Sequence, residues 1–131
     1  MSNAKNRTLG HNAERYYAQE FRNLGFKRCI TSRQGSRLYD SCKVDLMNIP
    51  FYVQAKAGIQ RGLNPIKILK EMNDALKEFI PDHPDYPKII IHKKKVGSGN
   101  KRNEYDEIVT MTFQDFKKLI SHDNQNKQTR D

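Results

Sequence analysis

Lys43-Val44-Asp45-Leu46-Met47-Asn48-Ile49-Pro50-Phe51-Tyr52-Val53-Gln54-Ala55-Lys56-Ala57 is the stretch on which the fold turns. Two strand-like runs, Lys43 to Asn48 and Phe51 to Ala57, flank a tight Ile49-Pro50 connection, the pattern of an antiparallel hairpin. Side chains alternate along a strand, so Tyr52, Gln54 and Lys56 share one face, while Phe51, Val53, Ala55 and Ala57 form the better core face. An even-length loop centred on Ile49-Pro50 sets Asp45 directly opposite Gln54, with both side chains on one face. A three-residue loop breaks that register.

Upstream, Ala13, Tyr17, Phe21 and Leu24 recur at helical spacing from Gly10 to Leu24, and Gly25 supplies a stop. Glu14 lies three, four and seven residues from Tyr17, Ala18 and Phe21, within the apolar stripe, so it is expected to point inward. A buried carboxylate needs compensation. Two arrangements supply it: a divalent cation shared with Asp45, or an ion pair with Lys56 or an arginine and no chemistry.

Phe26 to Ser32 reads as a short strand, followed by a polar loop, Thr31 to Ser36, with Gly35 at its turn. Downstream, Asn64-Pro65 offers a cap and a first-turn proline for a helix over Ile66 to Ile80, with Ile66, Leu69, Met72, Leu76, Phe79 and Ile80 on its apolar side and Pro81 ending it. Ile89-Ile90-Ile91 within Lys88 to His92 is a candidate buried strand, and Glu107 to Thr112 alternates as another. The basic, glycine-containing segment Lys93 to Tyr105 reads as a mobile hairpin loop. Thr112 can cap a last helix through Ile120. The expected order is α-β-β-β-α-β-β-α: an α/β domain with a central mixed sheet of about five strands flanked by helices. Residues 1–120 form one domain, and 121–131, without an aliphatic or aromatic side chain, read as a disordered polar tail.

Across 131 residues, 24 Lys and Arg against 15 Asp and Glu give a formal net charge of +9 and a pI near 9.6. That balance favours a polyanionic partner, nucleic acid first; the alternative is a solubilising basic surface. Cys29 and Cys42 have no zinc-type spacing and read as free thiols in a reducing cytoplasm, and His11, His83, His92 and His122 stand singly. No apolar run approaches a membrane span and no signal-peptide core is evident, so a soluble cytoplasmic protein is expected. Arg28, Arg33, Arg37, Lys93, Lys94, Lys95, Lys101 and Arg102 offer phosphate contacts, the densest patch being Lys93 to Arg102.

A hard divalent ion takes oxygen ligands, and Asp45, the amide oxygen of Gln54 and Glu14 are of that type, with Lys56 adding positive charge near a reacting phosphate. Asp45-Leu46, a short turn and Gln54-Ala55-Lys56 resemble the D…(D/E/Q)-x-K core of the PD-(D/E)xK nuclease superfamily. In order along the chain, Gly10-x-x-x-Glu14-Arg15, Gly25-Phe26, Arg33, Gly35-Ser36, Asp45 and Gln54-x-Lys56 resemble the landmarks of archaeal-type Holliday-junction resolvases. Asn64-Pro65-x-x-Ile68-Leu69 and the Ile-Ile-His strand look like small phage-type nucleases of the same superfamily.

The resemblance implies a restriction-endonuclease-like core. It makes Glu14, Asp45 and Gln54 metal-site residues, Lys56 the catalytic lysine, Ser36 a phosphate or metal-proximal contact, and Arg15 and Arg33 further nucleic-acid contacts. It implies a Mg²⁺-dependent endonuclease, with Mn²⁺ as a second candidate ion, that cuts branched DNA as a homodimer in a prokaryotic or phage-infected cell, without a small-molecule cofactor or a membrane. Two alternatives stand beside it: a superfamily nuclease acting on linear or single-stranded DNA, and a DNA-binding domain of the same fold without catalysis. Val44 stands where the motif has proline. Gln54 stands where it usually has an acid, which removes one negative charge from the metal site. Asp40 is a nearby carboxylate able to replace that charge, although its ordinary reading is a solvated loop acid.

Overall fold

The computed structural model describes residues 3–58, 63–95 and 105–130. Helix α1 spans Asn3–Asn23, seven residues longer at its start than the apolar period requires. It stops where the chain turns through Gly25, whose φ of 114° is closed to most side chains. Strand β1 is only Ile30–Thr31. The polar loop predicted over Thr31 to Ser36 instead holds a short helix, α2 (Ser32–Gly35), and a second, α3 (Arg37–Ser41), follows it. Their bonding is local: the Ser36 N–H donates to the Ser32 carbonyl at 2.7 Å, and the Ser36 hydroxyl caps α3 by accepting from the Tyr39 N–H at 3.3 Å.

The predicted hairpin is corrected in its pairing. Strand β2 (Leu46–Met47) pairs antiparallel with β1, Ile30 opposite Met47 and Thr31 opposite Leu46, and forms no ladder with β3 (Tyr52–Ala57). Lys43 and Asn48, on either side of β2, adopt left-handed backbone with φ of 66° and 68°. Those two bends swing Leu46-Met47 onto β1. Contact with β3 survives at one backbone bond, from the Asp45 N–H to the Val53 carbonyl at 2.7 Å. The ordered sheets are therefore a two-stranded ribbon, β1-β2, and a three-stranded mixed sheet, β3-β4-β5, rather than one sheet of about five strands.

Helix α4 (Pro65–Phe79) follows β3, with Asn64 accepting from the Lys67 N–H and Pro65 in the first turn, as the sequence predicts. It leads to β4 (Lys88–Lys95), which runs parallel to β3 with Gln54 beside Ile90 and Lys56 beside His92. Lys93, Lys94 and Lys95 thus belong to a strand and not to the predicted loop; residues 96–104, with Lys101 and Arg102, lie outside the described residues. Strand β5 (Tyr105–Thr110) pairs antiparallel with β4. Helix α5 (Phe113–Arg130) starts at the predicted cap, where Thr112 Oγ1 accepts from the Asp115 N–H at 3.1 Å. Its backbone stays helical past Ile120, through the segment predicted to be a disordered tail.

The chain packs in layers around the sheet. On one face, Val53, Ala55, Ile89 and Ile91 meet Ala13, Tyr17 and Ala18 of α1; on the other, Tyr52 packs with Met72 and Leu76 of α4 and with Cys42 and Val44. Both faces of β4 are covered, which is why three isoleucines in succession are tolerated there. Each fully buried side chain such as Met72 or Leu76 contributes about 1.5–3 kcal/mol. Ile66, Phe79 and Leu24, assigned to apolar stripes by period, are exposed by 79%, 50% and 74%. Ile66 and Phe79 sit in the end turns of α4, and Leu24 follows the last residue of α1. Cys29 and Cys42 are free and buried, and no helix among the described residues is long and apolar enough to cross a membrane.

Candidate metal and phosphate site

Asp45 reaches β3 twice. Its N–H donates to the Val53 carbonyl at 2.7 Å, and its carboxylate Oδ2 accepts from the Ala55 N–H at 2.8 Å. The two bonds clasp β3 on either side of Gln54. The carboxylate is consequently turned into the edge of β3 instead of standing on the sheet face opposite the Gln54 side chain, as the hairpin register predicts. Its own carbonyl accepts from the Ser32 N–H at 2.8 Å, tying the start of α2 to the same point.

Burial pushes the Asp45 carboxyl up to about 7; the Ala55 bond and the Lys56 charge pull it down, while Glu14 and Asp40 push it further up. Those influences place Glu14, Asp40, Asp45 and Lys56 in one electrostatic neighbourhood. Asp40, on α3, is half-buried there, and its charge also acts on Arg33.

Glu14 points inward as its period requires, with 5% of its surface exposed. Its partner is Arg33, whose Nε donates to Oε2 at 2.9 Å and whose Nη2 approaches Oε1 at 3.5 Å. Of the two compensations open to a buried Glu14, the ion pair with an arginine is the one formed. That bond is the main reason the Arg33 guanidinium is held more firmly charged than usual.

Gln54 and Lys56 share the face of β3 turned toward α4, and the parallel register adds His92 beside Lys56. The Gln54 Oε1 is buried without a hydrogen-bond partner among the described residues. A buried amide oxygen left unpaired costs about 1–3 kcal/mol, which a ligand or cation would recover. Among the described residues no three His, Cys, Asp or Glu side chains group closely enough to hold a metal by themselves. A set combining Asp45, Gln54 Oε1 and Glu14 is hard-oxygen in character and fits Mg²⁺ by chemistry, although α1, which carries Glu14, and the Gln54 side chain lie on opposite faces of β3.

The period-based reading passed over two polar atoms. Among the described residues, Ser32 Oγ is fully buried without a partner, on the residue whose N–H braces Asp45, and His11 Nε2 is buried without a partner one helical turn before Glu14. The i, i+3 spacing of His11 and Glu14 was the available signal; nothing in the sequence marked Ser32. His92 Nε2 lies 2.9 Å from the Gly58 carbonyl.

The basic candidates are dispersed. Arg15 bonds the Asn12 side chain, Arg37 is exposed on α3, and Lys93 sets its ammonium 3.8 Å from the centre of the Tyr16 ring. No family model matches the chain, and neither a curated protein nor a solved structure matches it.

Proposed function

We propose that this chain is a metal-dependent DNA endonuclease that hydrolyses phosphodiester bonds at the Asp45–Gln54–Lys56 site. The observation that carries the reading is the clasp of Asp45 around Gln54, whose buried Oε1 lacks a partner two residues from Lys56. Asp45, Gln54 and Glu14 would hold the ion. When bound, Mg²⁺ supplies Lewis-acid charge at the phosphate and a more acidic water. The Ala55 N–H fixes Asp45 Oδ2 and leaves Oδ1 without a hydrogen-bond partner among the described residues. Lys56 offsets the negative charge that grows on the phosphate in the transition state. Arg33, exposed beside the site, and Arg37, exposed on α3, offer backbone phosphate contacts, with the +9 net charge favouring approach of DNA.

The finer reading, a structure-selective enzyme acting on four-way junctions as a homodimer, rests on the ordered landmarks from Gly10 to Lys56. Exposed Val109, Phe113 and Phe116 offer apolar surface for a second copy, to be checked by light scattering. The Glu14–Arg33 pair favours a second reading, a DNA-binding domain without catalysis, because it occupies a carboxylate the metal site would use. Labelled four-way junction, linear duplex and single strand incubated with Mg²⁺, Mn²⁺ or EDTA separate these readings. Metal-dependent cutting of the junction in preference to the others supports the proposal. Equal cutting of linear duplex removes junction selectivity, and binding without cutting in either metal removes the enzyme.

A further inference from the structure

Arg33 is attached to the site by one side chain only. Its guanidinium donates to the buried Glu14 carboxylate while its own side chain is 47% exposed, on the four-residue α2. One member of the pair is sealed inside and the other faces solvent. A guanidinium in that position neutralises Glu14 and repels a divalent cation, so it opposes the metal set described above. It is also shaped to take a phosphate in two parallel hydrogen bonds, as it now takes Glu14 through Nε at 2.9 Å and, at the long limit, Nη2 at 3.5 Å.

We propose that Arg33 is a latch that couples phosphate binding to completion of the metal site: it holds Glu14 when DNA is absent and releases it when a backbone phosphate draws the guanidinium outward. The inference rests on the reading of Glu14 as a metal ligand. It makes Arg33 a positioning residue that acts through Glu14. Two consequences follow from linkage: the free protein binds metal weakly, and DNA and metal each raise the affinity for the other by the same factor. A metal site that assembles only on DNA would also keep the free enzyme from capturing ions it cannot use.

The test is Mn²⁺ binding to the full chain, read from the electron paramagnetic resonance of free Mn²⁺, without DNA. Arg33→Gln removes the charge but keeps an amide donor for Glu14, so the fold is retained; it should bind Mn²⁺ about tenfold more tightly than wild type. Arg33→Lys should stay near wild type. The double variant Glu14→Gln, Arg33→Gln should lose the gain, and adding a short linear duplex should tighten Mn²⁺ binding more in wild type than in Arg33→Gln. Unchanged or weaker binding by Arg33→Gln, with wild type binding measurably, overturns the latch and leaves the metal site standing. A gain that persists in the double variant also overturns it, because the effect is then general electrostatics and not the release of Glu14. Failure of wild type and every variant to bind Mn²⁺ removes the metal reading itself, and the latch with it.

Discussion

The carboxylate of Asp45 accepts the backbone N–H of Ala55 at 2.8 Å, so a side chain replaces the ladder bond that a regular hairpin would form at this point. Asp45→Asn keeps an acceptor for that N–H and removes only the charge. It should fold like wild type by circular dichroism while cleavage falls about 10²–10³-fold. Asp45→Ala should lose both activity and stability. Equal cleavage by Asp45→Asn and wild type would mean that the carboxylate takes no part in the chemistry.

Burial raises the Asp45 carboxyl above its value in the unfolded chain, to about 7. The folded state therefore holds a proton that the unfolded state has lost between the ordinary carboxylate range and neutrality, and this group's contribution to stability falls as pH rises through that window. Glu71 and Asp85, each held low by a lysine partner, act at more acid pH than this window, and comparison with Asp45→Asn isolates the one group. Urea unfolding in EDTA should show the gap between wild type and Asp45→Asn widening from pH 5 to pH 8 in favour of the variant. Saturating Mg²⁺ should reduce it, because the ion favours the charged carboxylate.

Lys56 forms no hydrogen bond or ion pair with any described residue that would make it a structural element. Lys56→Met should leave thermal stability nearly unchanged and Mn²⁺ binding equal or tighter, while kcat drops about 10²-fold or more. A change confined to KM would move Lys56 from the chemical step to substrate binding.

Two substitutions away from the site calibrate the fold. Leu76→Ala empties part of the core between α4 and Tyr52 and should cost about 2–5 kcal/mol in urea unfolding. Asn64→Ala removes the cap of α4 and should cost about 1 kcal/mol without changing cleavage.

What could be read from the chain follows the strength of its local signals. The caps at Asn64 and Thr112, the stop at Gly25 and the inward Glu14 were fixed by neighbours a few residues away, and each is in place. The partner of β2 was not readable, because left-handed backbone at Lys43 and Asn48 is unusual for a lysine and unmarked by glycine. The choice of Arg33 for Glu14 was open for a related reason: α2 brings the two together across nineteen residues of sequence, a long-range outcome that period cannot supply. Asp40 lies on α3, a short helix in a stretch whose sequence showed no helical period.

The most direct test of the central claim is cleavage of a labelled four-way junction by wild type and Asp45→Asn side by side, in Mg²⁺ and in EDTA. Product is expected only from wild type with Mg²⁺. Binding without product in Mg²⁺, or product that persists in EDTA at the same rate, would contradict it.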